Sequence, residues 1–379
     1  MNRSLVSATL SGAATLRGAA AIAGALAAAL VGGPAATISP AFAEDAFGTF
    51  SIIGYDSLTR EIGVVVQSRA FNVGQAVPWA RAGIGAIATQ AQTNLSFGPR
   101  GLAMLAEGRT ASDVLLALVN SDTLSAHRQL GVMDASGGGA TFTGNQCLDW
   151  AGGRAEPGEF VCQGNILAGA AVVEGMARAF RETKGELAER LLAALDSAQA
   201  AGGDKRGKQS SAILVVRPSG THPQFEERYV NLHVEDHPDP IVELRRLFRI
   251  HQGTDLLDAH FTYLEEAKAA GMTQMAAIEQ ERIGAITRAA LAEDRDAGTL
   301  NGLAWACATH DVLLDEAVQL ARRAVALDSA NVDVLDTLAE ALFRNGAAKE
   351  AIAVETRAAA IDPKSDYLRK QIERFKKGR

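Results

Sequence analysis

The chain has 379 residues, of which 47% are hydrophobic and 21% are charged, as in an ordinary globular protein rather than a disordered or fibrous one. Its formal net charge of −7 argues against the basic surface that nucleic-acid binding requires. We therefore expect no nucleic acid among its partners. The length allows two domains of roughly 150 residues each.

Residues 1–43 have the pattern of a secretory signal peptide. Arg3 and Arg17 precede a charge-free apolar run at 18–33, which is shorter than the roughly 20 residues needed to cross a membrane. The segment ends in the small–x–small motif of residues 41–43. We therefore expect cleavage after this motif, export to the periplasm or the extracellular medium, and no membrane span in the mature chain.

From residue 49 onward, the spacing of apolar residues predicts strands and helices in a layered order. The order is three strands, two helices, a hairpin, a short strand-like segment, two helices and two strands. This order favours an α+β sandwich over a doubly wound parallel sheet, in which single helices would alternate with strands. The predicted strands and helices span 49–55, 61–68, 84–90, 98–108, 111–120, 128–134, 140–144, 160–165, 170–185, 186–203, 210–217 and 228–236.

A proline-led helical segment at 237–252 places the domain boundary near its end, and beyond it the strand signals disappear. A 34-residue period follows, in which Ala317 and Ala324 recur as Ala351 and Ala358. Small residues at these positions let two helices approach closely, as in tetratricopeptide (TPR) repeats. We predict a TPR-like helical domain at 252–379 whose groove binds a protein partner. An accidental helical hairpin is the alternative. The preceding unit is a degenerate match, with Trp305 at a position where the repeat has a small residue.

The three cysteines suit an exported protein only loosely. Cys147 and Cys162 could form a disulfide if their strands are neighbours, which would stabilise the fold by about 3 kcal/mol. Whether they pair stays open. Cys307 lies in an apolar helical setting and is expected to be a buried small hydrophobe. Because no cysteine or histidine spacing is that of a metal site, we expect neither metal nor cofactor.

Thr49 is either an ordinary strand residue or a nucleophile. A threonine hydroxyl attacks a carbonyl only if a base takes its proton, and the residue's own α-amine, with a pKa of about 7.7, can do so at a chain start. Signal cleavage would leave a short leader, residues 44–48, in front of Thr49. The nucleophile hypothesis therefore needs a second cut between Gly48 and Thr49, which an N→O acyl shift could supply.

Eight stretches of the chain, in order, carry a resemblance to a known family. They are GTFSIIGYD, GVVVQS, VPWARAGIGAIATQA, GPRGLAMLAEG, RQLGVMD, FTGNQCLDWAG, QGNILAG and AAGGDKRGKQSSAILVV. Through them, residues 49–251 resemble the bacterial family called domain of unknown function 1028, which is placed in the N-terminal-nucleophile (Ntn) hydrolase superfamily. The resemblance implies a four-layer αββα sandwich with Thr49 on the first strand as nucleophile, and it implies no particular substrate. Family members often begin Met-Thr-Phe-Ser, whereas here an export signal and leader precede the threonine.

Three polar residues at family-matching positions suggest catalytic and binding roles. Asn165 could donate to an oxyanion or simply form a turn. Asp204 could orient the α-amine, and Arg206 could bind a substrate carboxylate bidentately; a solvated loop is the alternative for both.

The remaining candidates line the strand ends. Ser51 shares the face of Thr49 and is a fallback nucleophile, but it would have no free α-amine, so it is expected to line the site. Ser68 could hydrogen-bond the α-amine or cap a turn. Thr89 and Gln90 could orient substrate or bond buried backbone groups.

Together these observations predict an exported Ntn-type amide hydrolase of a small amide substrate, with Thr49 as nucleophile and a TPR-like partner-binding domain. The alternative is a non-catalytic ligand-binding or scaffold protein on the same fold. The resemblance also makes assembly into a homo-oligomer an expectation, although no sequence feature marks its interface.

Overall fold

The structure, a computed structural model, describes residues 48–218, 229–293 and 295–378. The predicted signal peptide and all of the predicted leader except Gly48 lie outside the described residues. From Gly48 onward the described residues belong to one compact unit.

Ten strands of the described chain form two antiparallel sheets. The first sheet has the order β10-β9-β2-β1-β8-β7 and the second the order β3-β4-β5-β6. Every residue of β1 is buried, as expected for a strand near the middle of a sheet that is covered on both faces. The strands are β1 Thr49–Tyr55, β2 Ile62–Ser68, β3 Pro78–Arg81, β4 Gly85–Ala91, β5 Arg128–Asp134, β6 Gly139–Thr143, β7 Gly152–Glu156, β8 Phe160–Asn165, β9 Ser210–Val216 and β10 Val230–Val234.

Helices cover the outer face of each sheet. The pair α1 and α2 packs on the second sheet, while α3, α4 and α5 pack on the first. Since the inner faces of the two sheets pack on each other, the layers follow the order αββα, and the predicted four-layer sandwich is confirmed. These helices are α1 Phe97–Ala106, α2 Ala111–Asn120, α3 Ala171–Glu182, α4 Leu187–Ala200 and α5 Pro240–Gln252.

Side-chain alternation along the strands divides the apolar residues between the layers. On β1, Phe50 and Ile52 point to α3 and α4, whereas Ile53 points to the second sheet. The rings of Phe160 and Phe180 meet edge to face at 5.8 Å between β8 and α3. Fully burying a side chain of this size contributes roughly 1.5–3 kcal/mol. The same alternation places Thr49 and Ser51 between the sheets.

Two strands were not predicted. Pro78–Arg81 and Gly152–Glu156 are short edge strands, at the outer ends of the second and first sheets respectively. Their residues are largely half-buried or exposed, so they lack the apolar run or the strict alternation that marks an inner strand.

Seven further helices follow the sandwich among the described residues. Short connections join these helices, and most successive pairs pack against each other as helical hairpins. The predicted all-helical C-terminal region is therefore confirmed. The helices are α6 Asp255–Ala269, α7 Thr273–Ala292, α8 Ala297–Thr309, α9 Leu314–Leu327, α10 Val332–Arg344, α11 Ala348–Ile361 and α12 Asp366–Lys377.

The 34-residue period of the sequence has a structural counterpart. Helix α11 begins and ends 34 residues after α9, and α12 begins 34 residues after α10. All four periodic alanines are fully buried: Ala317, Ala324, Ala351 and Ala358.

Trp305 occupies a position at which the repeat has a small residue. Its side chain is 38% exposed, and the buried small residues of α8 are instead Ala304 and Ala308, one turn apart. The indole thus lies outside the close helix contact, which it is too large to enter. No helix of the described chain is long and apolar enough to cross a membrane.

Candidate functional site

The first residue of β1 lies between two polar residues of the neighbouring strands. Thr49 is paired in register with Ser68 at the end of β2 and with Asn165 at the end of β8. Thr49 is 3% exposed, Asn165 is 1% exposed and Ser68 is completely buried. The three predicted residues therefore come together in a buried group at one end of the first sheet.

A chain of hydrogen bonds connects the Thr49 hydroxyl to the peptide bond that precedes it. Ser68 Oγ donates to the carbonyl oxygen of Gly48 at 2.6 Å, and Ser68 Oγ lies 3.0 Å from Thr49 Oγ1. Because the Ser68 proton is used on the carbonyl, Thr49 must be the donor in the second bond. The hydroxyl of Thr49 is thus linked, through Ser68, to the oxygen of the bond between Gly48 and Thr49.

Arg206 is the second donor to this carbonyl. Its Nη2 lies 2.7 Å from the oxygen of Gly48, and the same guanidinium forms a two-pronged pair with Asp204, at 3.1 Å to Oδ1 and 2.8 Å to Oδ2. The prediction that Arg206 binds a substrate carboxylate bidentately does not fit this geometry, because Asp204 already occupies that edge of the guanidinium.

Asp204 lies beside Gly48 and is held firmly. Besides the guanidinium, its carboxylate accepts the backbone N–H groups of Arg69 at 3.1 Å and Arg206 at 2.9 Å. A Cβ atom placed on Gly48 would lie 2.6 Å from Asp204 Oδ1, which is too close for any side chain. A carboxylate with this many donors cannot move away cheaply, so only glycine fits at position 48.

A network of side-chain amides lies beneath Thr49, between the two sheets. Gln90 Nε2 donates to the carbonyl oxygen of Thr49 at 3.2 Å and to Gln129 Oε1 at 2.8 Å, while Ser51 Oγ donates to Gln90 Oε1 at 2.6 Å. Asn165 Nδ2 donates to Gln129 Oε1 at 3.1 Å. The predicted residues Ser51, Gln90 and Asn165 therefore share one buried network that supports the end of β1.

Gln129 is the central residue of this network, and it was not among the site residues predicted from the sequence. Its Nε2 also donates to the carbonyl oxygen of Gly164 at 2.8 Å, which fixes the end of β8. Alternation along β5 places Gln129 on the same inner face as Gly131 and Met133, and a glutamine on a buried face was the available signal.

Thr89 is the one predicted site residue that lies outside the group. Adjacent residues of a strand point to opposite faces, and with Gln90 directed between the sheets Thr89 points toward the α1–α2 layer. Its Oγ1 lies 3.4 Å from the carbonyl oxygen of Asn94, which is a structural contact.

Two strained residues flank the network. Ala91 follows Gln90 with φ of 66°, and Ile166 follows Asn165 with φ of 54°. A β-branched residue rarely adopts this left-handed conformation, and such strain, of order 1–3 kcal/mol, clusters at functional sites. The strain therefore supports a functional interpretation of the strand ends around Thr49.

The cysteines take no part in the group, and all three are free. Cys162 Sγ points to the carbonyl oxygen of Val173 on α3, whereas Cys147 Sγ lies 3.3 Å from the carbonyl oxygen of Arg128. The two thiols contact different elements, so the disulfide left open above is absent. Among the described residues, no group of three or more His, Cys, Asp or Glu side chains is arranged to hold a metal ion.

Comparison with known proteins gives a family but no activity. The model of a family of unknown function, DUF1028, matches residues 49–244, which ends within α5. A crystal structure of a DUF1028 protein from Silicibacter pomeroyi is similar over 56% of this chain and 89% of its own, with 30% identity and a TM-score of 0.50. Among curated proteins, none matches this chain.

Proposed function

The chain belongs to the family of unknown function DUF1028, and from that premise we propose that it is an amide hydrolase of the Ntn type. Thr49 is the nucleophile in this proposal and small amides are the substrates. The observation that carries it is the Gly48 carbonyl oxygen, which accepts from Ser68 and Arg206 immediately before the candidate nucleophile. Two preorganised donors on one carbonyl oxygen stabilise the oxyanion that forms there during attack.

The first chemical step is the cleavage of the chain itself. The oxygen of the Thr49 hydroxyl attacks the carbonyl carbon of Gly48, and its proton leaves through Ser68 toward the Thr49 nitrogen. The carbon–nitrogen bond breaks and an ester on Thr49 Oγ1 remains. Water then hydrolyses this ester, which leaves a carboxylate on Gly48 and a free α-amine on Thr49. Donors on the Gly48 oxygen hold the negative charge of both tetrahedral intermediates.

The same hydroxyl then acts on substrate. The Thr49 α-amine, with an ordinary pKa of about 7.7, accepts the hydroxyl proton as the oxygen attacks the substrate carbonyl. The substrate amine leaves with that proton, and an acyl group stays on Thr49 Oγ1. Water releases it as a carboxylic acid. Asp204, beside the newly formed α-amine, orients it, and Arg206 and Ser68 remain as donors for the substrate oxyanion.

The position of Asn165 gives it a separate role. Its Nδ2 donates one N–H to Gln129 within the network, and this bond leaves the second N–H of the amide unused. We propose that the first N–H positions the end of β8 opposite Thr49, and that the second donates to the oxyanion when substrate enters.

Intact-mass analysis of the purified chain tests the proposal. We expect a species that begins at Thr49, and we expect Thr49→Ala to leave the Gly48–Thr49 bond intact and to abolish hydrolysis of a panel of small amides. Thr49→Ser keeps a hydroxyl and should retain cleavage. Thr89→Ala is the matched control, because its hydroxyl lies outside the group, and it should be cleaved like the parent chain.

Ser68→Ala tests the hydrogen-bond chain. It removes one carbonyl donor and the relay together, so self-cleavage should slow by about 10²–10³-fold, the range for loss of one oxyanion donor. A chain that keeps its leader and still hydrolyses amides would refute the N-terminal-amine mechanism.

The second candidate function is non-catalytic ligand binding on the same fold. The observation in favour of a non-catalytic chain is the burial of the candidate nucleophile: Thr49, Ser68 and Asn165 have almost no exposed surface while Gly48 is attached, so an uncut chain would bind its ligand elsewhere on the fold. A purified chain that is never cut, and in which Thr49→Ala changes no measured property, would favour this function.

Export and partner binding complete the proposal. The signal-like residues 1–43 support export, which cell fractionation tests: the chain should be found outside the cytoplasm and should lack these residues.

The 34-residue helical period supports a protein partner for helices α8–α12. Mass photometry of the purified chain would separate such a partner from the expected homo-oligomer.

A further inference from the structure

A cavity of about 430 Å³ lies where the sandwich meets the helical region. Its walls are the β1–β2 turn, the α3–α4 connection and one side of α7. Because a strand rises about 3.3 Å per residue, this end of β1 is roughly 20 Å from Thr49. The volume falls within the range of small-ligand sites, about 300–1,000 Å³. We call it the junction cavity, and it is separate from the candidate active site.

One wall of the junction cavity is apolar. Ile278, Ala285 and Ile286 line it from α7, and Leu58 lines it from the β1–β2 turn. Leu58 is 58% exposed, although a leucine gains by burial. An apolar ligand body placed here would cover these side chains.

A buried ionic cluster joins the sandwich to α7, and one of its residues, Arg282, also lines the cavity. Arg282 donates to both carboxylate oxygens of Glu61, at 2.6 and 3.2 Å. Arg217 donates to Glu279 at 2.7 Å and lies 3.4 Å from Glu61. Among these four residues, the positive charges of the two guanidiniums balance the negative charges of the two carboxylates.

His260 also contacts this cluster, through a hydrogen bond that it donates to Glu279. Burial alone would raise the pKa of Glu279, but the hydrogen bond from His260 and the charge of Arg217 lower it to about 2. Glu279 is therefore ionised and only accepts, so His260 Nδ1 donates to it at 2.8 Å.

Glu186 is a third carboxylate, and its Oε1 lies 3.6 Å from His260 Nε2 and 3.9 Å from Arg282 Nη1, so the cluster already compensates part of its charge. It is 7% exposed and it lines the junction cavity. Its Oε1 accepts from Tyr229 at 2.7 Å, whereas its Oε2 has no partner in the described part of the chain. A buried carboxylate with one unpartnered oxygen favours a hydrogen-bond donor that carries positive charge.

The other charges at the cavity either have partners or lie in solvent. Lys184 is exposed at the rim, where solvent and salt screen its charge. The remaining carboxylates of the wall pair with arginines: Asp56 with Arg190, Glu189 with Arg245 and Glu281 with Arg288. Glu186 is therefore the buried carboxylate of the wall whose second oxygen, Oε2, is left for a ligand.

We propose that the junction cavity binds an organic ammonium ion with an apolar body. The ammonium donates to Glu186 Oε2, and the apolar body covers the α7 wall and Leu58. Since the walls come from the sandwich and from α7, the bound ligand ties the helical region to the sandwich.

Thermal unfolding and calorimetry of the full chain test this with octylammonium chloride as probe. We expect saturable binding that raises Tm. Sodium octanoate and octanol are the matched probes of opposite and zero charge, and both should bind at least about tenfold more weakly, since a hydrogen bond to a charged group is worth more than a neutral one. Spermidine, which has charge without an apolar body, should also bind more weakly.

Two variants and one control variant show where the probe binds. Glu186→Gln keeps an oxygen for Tyr229 but removes the charge, so octylammonium affinity should fall about tenfold or more. Ala285→Trp fills the cavity from an exposed position on α7 and should abolish binding without entering the core. Glu182→Gln removes a nearby carboxylate that does not line the cavity, and it should leave the affinity within about twofold.

Each part of the proposal has a result that would overturn it. Equal affinity for octanol or octanoate would overturn the role of Glu186. Unchanged octylammonium binding in Ala285→Trp would overturn the site, and the absence of saturable binding at millimolar probe would overturn the proposal. The Ala285 variant keeps the test decisive if Glu186→Gln does not fold.

Discussion

Substitution of Glu355 by glutamine should stabilise the protein in a strongly pH-dependent way. Glu355 on α11 is completely buried, and neither of its carboxylate oxygens has a hydrogen-bond partner among the described residues. Asp336 on the adjacent helix α10 is 9% exposed and accepts from Tyr367 at 3.2 Å. Burial, followed by the negative charge of Asp336, raises the pKa of Glu355 to about 8.

The direction of the pH effect follows from the raised pKa. Below pH 4.5, the ordinary value of Glu355, the carboxyl is neutral in both the folded and the unfolded chain and costs nothing. As pH rises toward 8 the unfolded chain ionises first, so folding is progressively destabilised. The full shift corresponds to roughly 5 kcal/mol, and relaxation and water entry around the two carboxylates should reduce the measured cost to about 2–3 kcal/mol.

Glu355→Gln keeps the size of the side chain and removes its charge. Thermal unfolding followed by circular dichroism should show a Tm about 5 °C above the parent chain at pH 9 and equal to it, within error, at pH 4.5. Glu350→Gln, on the same helix in an exposed pair with Arg322, is the control and should change Tm little at either pH. A stabilisation of equal size at both pH values would refute the reasoning, because it would show that charge is not the cause.

Three further predictions concern other buried groups. Arg282→Met leaves the carboxylate of Glu61 buried and without its principal partner, so it should destabilise the chain by about 3–5 kcal/mol, measured by denaturant unfolding. Burial raises the pKa of Cys162 to about 12, so in the native chain at pH 8 it should resist iodoacetamide, while unreduced denatured protein should show three free thiols by mass. Gly48→Ala places a Cβ 2.6 Å from Asp204 and should slow self-cleavage by at least about tenfold; cleavage at the parent rate would contradict the packing described for this residue.

The main layers of the fold could be predicted from the sequence because inner strands and amphipathic helices have distinct apolar patterns. Strand β1, buried along its whole length, and helix α3, with one apolar face, are examples. The edge strands β3 and β7 could not be predicted in this way. An edge strand needs one hydrogen-bonded neighbour rather than two, and its sequence therefore tolerates proline, glycine and charge.

The site was predicted less completely, because its main contacts join residues that are distant in sequence. Arg206 was assigned to a substrate carboxylate, but Asp204, two residues away, takes the guanidinium edge, and Gly48, 158 residues away, takes Nη2. Gln129 escaped notice for the same reason, since its partners lie on β4 and β8. Local patterns identify which residues face inward, but not which carbonyl oxygen each will meet.

The burial of Thr49 also sets an order of events. In the chain that still carries Gly48, Thr49 and its polar neighbours have almost no surface, so no substrate reaches the hydroxyl. Removal of the residues before Thr49 would therefore do two things at once: it would create the α-amine that serves as base, and it would open the space that a substrate carbonyl needs beside Ser68 and Arg206. An activity assay on uncut protein would read zero whether the chain is a hydrolase or a scaffold. The state of the Gly48–Thr49 bond must consequently be measured in the same sample as the activity, and the two should rise together as the fraction of cut chain increases.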